Sequence, residues 1–192
     1  TDLARQLDQW VIEQALSTLA ARRKTGHDTV FFIKITGGTL HDPGMVPWIA
    51  ERLKEHRIPA ECVVFQIKVA TVIAHLKQAR DLVKSHKTIH CQFVLDDFGV
   101  GINPFQILQH IPVDYLKVDA CYTRNLVKTH EDQEVLKHLT NTGHTQGKMI
   151  IAQQVEDAAT LSVLWGLGVN FIQGNFLQAP SGALEYDFSS MG

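Results

Sequence analysis

Two adjacent carboxylates, Asp96 and Asp97, stand in the run Asp96-Asp97-Phe98-Gly99. Side by side at the end of a strand, such a pair suits a divalent ion, and the glycine lets backbone approach a ligand. An aspartate turn or a helix cap accounts equally well for the dipeptide alone. Other polar residues recur where apolar runs end: Lys34, Gln66 and Lys68, Lys117 and Asp119, Gln153 and Gln154, then Gln173. In a β/α barrel, active sites lie at the carboxyl ends of the strands, where all of these would meet. Loop polars would collect there too, so position alone supports either reading.

Cysteine and histidine chemistry is less promising. Cys62, Cys91 and Cys121 are an odd number, far apart, with no C-x-x-C pair, which argues against a zinc site or a disulfide framework. Reduced thiols in a cytoplasmic protein fit better. Cys62 and Cys91 open strand-like runs and read as small buried hydrophobes. The histidines form no H-E-x-x-H; His86 and His90 are four apart, but the residues between them lead into a strand rather than continue a helix, so no metal role is expected.

The elements that must position these groups alternate helix and strand. Residues 2–24 have helical periodicity, with Leu3, Leu7, Trp10, Val11, Gln14 and Leu16 near one face and Gly26 as the stop. Strands are predicted at 29–36, 61–68, 90–95, 113–118, 148–152 and 169–172. Helices are predicted at about 43–57, 69–85, 104–110, 131–141 (stopped by Gly143) and 156–167 (capped by Gly168). Near-continuous apolar strands separated by helices imply a parallel sheet buried on both faces. A doubly wound sheet and a barrel both satisfy the pattern. The helix at 44–57 carries Met45, Val46 and Trp48, either as an apolar patch for a partner or, more simply, as the inner face of a packed helix.

Composition bounds the function. The chain has 192 residues, 18 Lys+Arg against 20 Asp+Glu and a net charge of −2, so it is no general polyanion binder, and neither DNA nor RNA is an expected partner. Hydrophobic residues at 45% and charged residues at 20% argue for a folded domain over disorder. No apolar run approaches the roughly 18 residues of a membrane span, and membrane insertion is not expected. Residues 1–192 read as a single domain.

The motifs resemble one family. DDFGVG (96–101) followed by PVDYLKVD (112–119) resembles the D-D-F-G-x-G … P-x-D-x-L-K-I-D core of EAL domains, bacterial phosphodiesterases of cyclic di-GMP with a TIM-like (β/α) barrel. IAQQVED (151–157) is similar to their A-E-G-V-E segment, and QGNFLQAP (173–180) to Q-G-Y-x-F-x-x-P. FIKIT (32–36) and VVFQIKV (63–69) align with V-N-x-S and L-x-x-E-I-T-E. The E-A-L tripeptide is absent and six strands are found, so the resemblance implies an incomplete barrel lacking the opening hairpin.

Departures from the pattern carry the functional expectation. Active members hold two divalent ions with carboxylates and an asparagine. Here the asparagine position is Lys34, the strand glutamate Gln66, the threonine-glutamate pair Lys68-Val69, the first glutamate of A-E-G-V-E Gln153 and its glycine Gln154. Asp96, Asp97, Lys117, Glu156 and Gln173 remain at residual family active-site positions. Hard cations need several anionic oxygens, so no metal and no catalytic residue are expected, and Lys34 is placed to pair with Asp96 or Asp97. Cyclic di-GMP binding is expected to persist through Asp96, Gln153, Gln154, Gln173, Gly174, Asn175, Phe176 and Pro180, with Phe176 stacking a guanine. Packing, solvated-loop and salt-bridge roles remain alternatives for these residues.

The pattern of losses, with the E-Y-D-F tail, is similar to a receptor member of the family that regulates type IV pili and twitching motility with a PilZ-type protein. It implies a cytoplasmic location, with the cell pole as a candidate address. A weak phosphodiesterase using Asp96, Asp97, Glu156 and Lys117, and a nucleotide-independent protein-interaction scaffold, are the alternatives.

Overall fold

The computed structural model describes residues 2–182 and residue 184. The E-Y-D-F tail (185–188) lies outside the described residues. Six strands are found among them: β1 (Phe31–Lys34), β2 (Val63–Lys68), β3 (Gln92–Phe98), β4 (Tyr115–Val118), β5 (Met149–Ala152) and β6 (Phe171–Ile172). They follow one another in sheet order. The pairs β1·β2, β2·β3 and β5·β6 are parallel. Parallel neighbours need a crossover: α1 (Asp2–Lys24) precedes β1, α2 (Met45–His56) lies between β1 and β2, α3 (Val69–Ala74) and α4 (Leu76–Thr88) between β2 and β3, α5 (His130–Thr145) between β4 and β5, and α6 (Ala158–Gly166) between β5 and β6. The helix predicted at 104–110 is a 3-10 stretch, Pro104–Gln109, between β3 and β4. No helix among the described residues is long and apolar enough to cross a membrane.

The chain divides into two compact units, Thr1–Leu116 and Lys117–Gly192. In the first, β2 and β3 are apolar on both faces, with Val63, Val64, Phe65, Ile67, Phe93, Val94 and Leu95 all fully buried. This is why their sequences are continuous rather than alternating. Cys62 and Cys91 are buried beside them, as small hydrophobes, and burial pushes the Cys91 thiol up to about 12. Asp114 locks the start of β4 to β3: its carboxylate accepts from the Phe93 amide at 2.9 Å and from Lys87 at 3.2 Å.

Helix α1 is turned differently from its apolar periodicity. Its buried residues are Asp8, Ile12, Leu16 and Leu19, while Leu3, Leu7 and Trp10 are exposed. The cause is a polar contact. Asp8, buried, accepts from the Thr36 amide (3.1 and 3.0 Å), the Thr36 hydroxyl (2.9 Å) and the Thr39 hydroxyl. These bonds bring the loop after β1 onto the helix so tightly that a Cβ on Gly38 would lie 2.9 Å from the Arg5 backbone nitrogen.

Three other boundaries depart from the periodicity. The helix predicted at 69–85 is two, α3 and α4, broken at His75 (φ −136°, ψ 47°), whose ring packs edge-on against His41. His86 lies inside α4 rather than in a strand approach; it is fully buried between Phe65 and Phe93, each ring centroid 5.0 Å away. Gly143 does not stop α5 but is buried within it, and Gly147 (φ +69°) follows its end. Met45 is core and Trp48 only half-buried, so α2 presents its apolar residues inward.

Two outcomes follow. Asp8→Ala strands the Thr36 and Thr39 donors and is expected to cost about 3 kcal/mol, read as a lower urea midpoint with an unchanged slope. Burial lowers His86 from 6.5 to about 4, with Nδ1 donating to the Leu82 carbonyl (3.0 Å) and Nε2 unpartnered. The unfolded chain takes up this proton near pH 6.5 and the folded chain only near pH 4, so the unfolded state binds more protons between them. Stability is therefore full above pH 6.5 and falls as pH drops through that window, by on the order of 3 kcal/mol. Unfolding curves of His86→Phe against pH should lack that part of the slope.

Candidate functional site

The polar strand ends form two clusters, one in each unit. In the first, β1 ends at Lys34, β2 at Lys68, and β3 passes through Asp96 and Asp97. The register sets Lys34 beside Gln66 and Lys68 beside Asp96. Lys34 Nζ lies 2.9 Å from Asp96 Oδ2, and Lys68 Nζ lies 2.8 Å from Asp97 Oδ2. Asp96 is 1% exposed, whereas the Lys34 side chain is 56% exposed. A buried carboxylate needs a counter-charge or several donors, and Lys34 provides the charge. The Asp97 amide also donates to Asp96 Oδ1 at 3.1 Å. Asp97 itself has φ +58°, a left-handed conformation that aspartate tolerates better than most residues; it turns the second carboxylate toward Lys68. The expected Lys34–Asp96 pair is thus present, and the Lys68–Asp97 pair, which no motif foretold, doubles it.

This donor set does not suit hard divalent ions. Each aspartate is engaged by an ammonium, and the neighbouring positions offer an amide, Gln66, and an aliphatic side chain, Val69. Among the described residues, no group of three or more His, Cys, Asp or Glu side chains is arranged to hold a metal ion.

The second cluster is built around Val155, which is buried. Its amide donates to the Gln173 carbonyl at 3.1 Å, and its carbonyl accepts from the Phe176 amide at 3.1 Å. Gly174 passes so close that a Cβ there would sit 2.0 Å from the Val155 oxygen. The backbone of Gln173-Gly174-Asn175-Phe176 is therefore strapped down while its side chains face outward: Gln173, Asn175 and Phe176 are exposed, as is Pro180. Phe176 keeps 42% of its surface accessible, which suits a stacking platform better than a packing lid.

Gln153 and Gln154 have partners within the protein. Gln153 Nε2 donates to the Val118 carbonyl at 3.1 Å, and its own carbonyl accepts from the Thr123 hydroxyl at 2.7 Å. Gln154 accepts from Arg124 Nε at 3.0 Å. Gln154 has φ +57°, the conformation that a glycine at this place in the A-E-G-V-E pattern adopts without cost. Arg124, Gln154, Glu156 and Asp157 line a polar cavity of about 250 Å³ with Thr123 and Thr160. Asp157 caps α6, and the Thr160 amide (2.7 Å) holds its carboxyl below the usual carboxylate range. Lys117 is buried in β4, and Asp119 accepts from the Cys121 amide at 2.8 Å. Arg124 and Lys68 were not singled out as ligands from sequence, because neither pairing partner is near in the chain.

Parallel α/β folds of this kind bind ligands at the carboxyl ends of their strands, and the charged and amide groups described here lie at those ends. The chain belongs to the EAL-domain family, whose profile matches residues 1–180. It is similar to the FimX EAL domain of Pseudomonas aeruginosa bound to c-di-GMP, with 40% identity and a TM-score of 0.90 over 97% of this chain and 75% of that one. It is also similar to the Xanthomonas citri FimX EAL domain in complex with c-diGMP, at 29% identity and a TM-score of 0.93 over 97% and 74%. The cyclic di-GMP phosphodiesterase PdeB of Shewanella oneidensis is 29% identical over 96% of this chain and 22% of its own length. The chain thus spans about a quarter or less of the curated relatives PdeB and PdeF. The fold is the TIM-like (β/α) type of EAL domains, as the motifs implied.

Gly174→Ala is expected to destabilise the domain by about 3 kcal/mol, because the new methyl must displace Val155 backbone, and to release the 173–176 tract. Amide exchange at Val155 and Phe176 would accelerate; unchanged protection would contradict the strap.

Proposed function

We propose that this chain is a cyclic di-GMP receptor domain without turnover. One observation carries the reading: the two aspartates that would serve a two-metal hydrolysis are each held by a lysine ammonium, Lys34 on Asp96 and Lys68 on Asp97. Two-metal catalysis needs ions that generate the nucleophile and steady the attacking and leaving oxygens. With ammonium groups on those carboxylates, Lys117 and Glu156 have no activated water to direct. No metal cofactor is therefore required, and none of these residues has a catalytic role.

Ligand binding is supported by the similarity to c-di-GMP-bound FimX domains. In the first unit Asp96, which is buried, acts on the ligand through the Lys34 ammonium that it holds. In the second, the exposed side chains of Gln173, Asn175 and Phe176, the backbone of Gly174, the wall at Pro180 and the amides of Gln153 and Gln154 supply donors, acceptors and a stacking face. Amides bind phosphates and base edges without repelling the two negative charges of the ligand. The pattern of motif losses in the sequence is the ground for reading a PilZ-type partner, a role in type IV pilus and twitching regulation, and a cytoplasmic, pole-associated location.

A second reading, a weak phosphodiesterase, is favoured by the similarity to PdeB and by the retained Asp96, Asp97, Lys117 and Glu156. A paired experiment separates the two. Calorimetric titration with cyclic di-GMP in EDTA should show saturable binding, and incubation of the same complex with Mg²⁺ or Mn²⁺ should yield no linear dinucleotide. Metal-dependent cleavage at ordinary phosphodiesterase rates, abolished by Asp97→Ala, would establish the second reading instead.

A further inference from the structure

The two lysines do more than neutralise aspartates. We propose that Lys34 and Lys68 are the phosphate-binding cations of this domain, donating directly to the phosphate groups of the cyclic dinucleotide; this rests on the receptor reading above.

The asymmetry of the first pair points this way. Asp96 is almost completely buried, but more than half of the Lys34 side chain is exposed. A lysine serving only as counter-ion would gain by burying its stem along the strand end, whereas here the ammonium is gripped from beneath and presented to solvent. An ammonium carries three N–H donors, and a single carboxylate oxygen takes one. Lys68 pairs with Asp97 at 2.8 Å, with half of its own side chain and about a third of the aspartate exposed. Both stems rise from neighbouring parallel strands. Lys34 pairs with Gln66, two residues before Lys68, so the two Cα atoms lie about 8 Å apart from strand spacing and rise. Two long, flexible cations at that separation reach two phosphates of one small ligand.

Charge balance agrees. Lys34, Lys68, Asp96 and Asp97 sum to zero, so a dianionic ligand meets no net repulsion. Without the lysines the same ligand would face two adjacent carboxylates. The ammonium groups thus supply at fixed positions the positive charge that phosphate recognition needs.

The test uses the whole chain and cyclic di-GMP. Lys34→Met and Lys68→Met should each weaken binding by about tenfold or more in EDTA, since each removes a charge-assisted contact. Lys34→Arg should bind within a few-fold of the unaltered chain, and millimolar Mg²⁺ should leave its affinity unchanged. Lys34→Met leaves Asp96 buried without its counter-charge and risks misfolding, so a second measurement works on the unaltered chain. Acetylation by a water-soluble succinimidyl ester, read by mass spectrometry, should be suppressed by ligand at Lys34 and Lys68 but not at Lys54 or Lys137. Unaltered affinity in folded methionine variants, or ligand-independent acetylation of both lysines, overturns the assignment and leaves the receptor reading standing. No binding by the unaltered chain overturns both.

Discussion

Asp96 places a carboxylate at the end of a strand whose neighbours are apolar on both faces, and burial there removes the water that would otherwise solvate it. A carboxylate in that position requires a cation or a ring of donors. In this chain the cation is the ammonium of Lys34, and much of the first unit is arranged around that requirement. Parallel register between β1, β2 and β3 brings Lys34 and Lys68 to the same end of the sheet as the aspartates. The left-handed turn at Asp97 then directs the second carboxylate to the second lysine. The strand ends of this unit therefore carry two lysine–aspartate pairs in place of bare carboxylates.

The same unit shows how a polar contact overrides an apolar pattern. Helix α1 has enough leucines and tryptophan on its outer side to be packed the other way round, yet Asp8 and its threonine donors decide the rotation. Apolar contacts spread over a helix face can be exchanged for others. A buried carboxylate with several matched donors has no comparable alternative, and its loss leaves each donor desolvated. The loop from Thr36 to Thr39 follows β1 directly, so the contact that orients α1 also steadies the strand that presents Lys34.

The second unit solves a different problem, that of holding an exposed tract still while its side chains face solvent. Backbone hydrogen bonds to Val155 and the close approach of Gly174 fix residues 173–176, so Phe176 and the two amide side chains face solvent without needing to pack. Gln154 keeps a left-handed conformation that glycine would adopt more cheaply, and Arg124 binds the amide so placed. The family motif survives here as geometry even where its chemistry has changed.

The sequence by itself determined the alternation of strand and crossover, the parallel sheet, the buried cysteines, the family, and the replacement of the motif asparagine by Lys34, of glutamates by Gln66, Val69 and Gln153, and of the motif threonine by Lys68. Those features reside in residue type, local periodicity and ordered short motifs, all of which survive being written in one dimension. The break at His75, the burial of Gly143 and His86, and the outward turn of Leu3, Leu7 and Trp10 were decided only in the folded chain. Each depends on what packs against the segment from a distant part of the sequence. The same holds for the site. Lys34 was recognisable as a cation beside the aspartates, but its choice of Asp96, and the matching choice of Asp97 by Lys68, follow from strand register and from one left-handed residue. Ion pairs act over a few ångströms, and only the tertiary structure brings residues from three separate strands within that range.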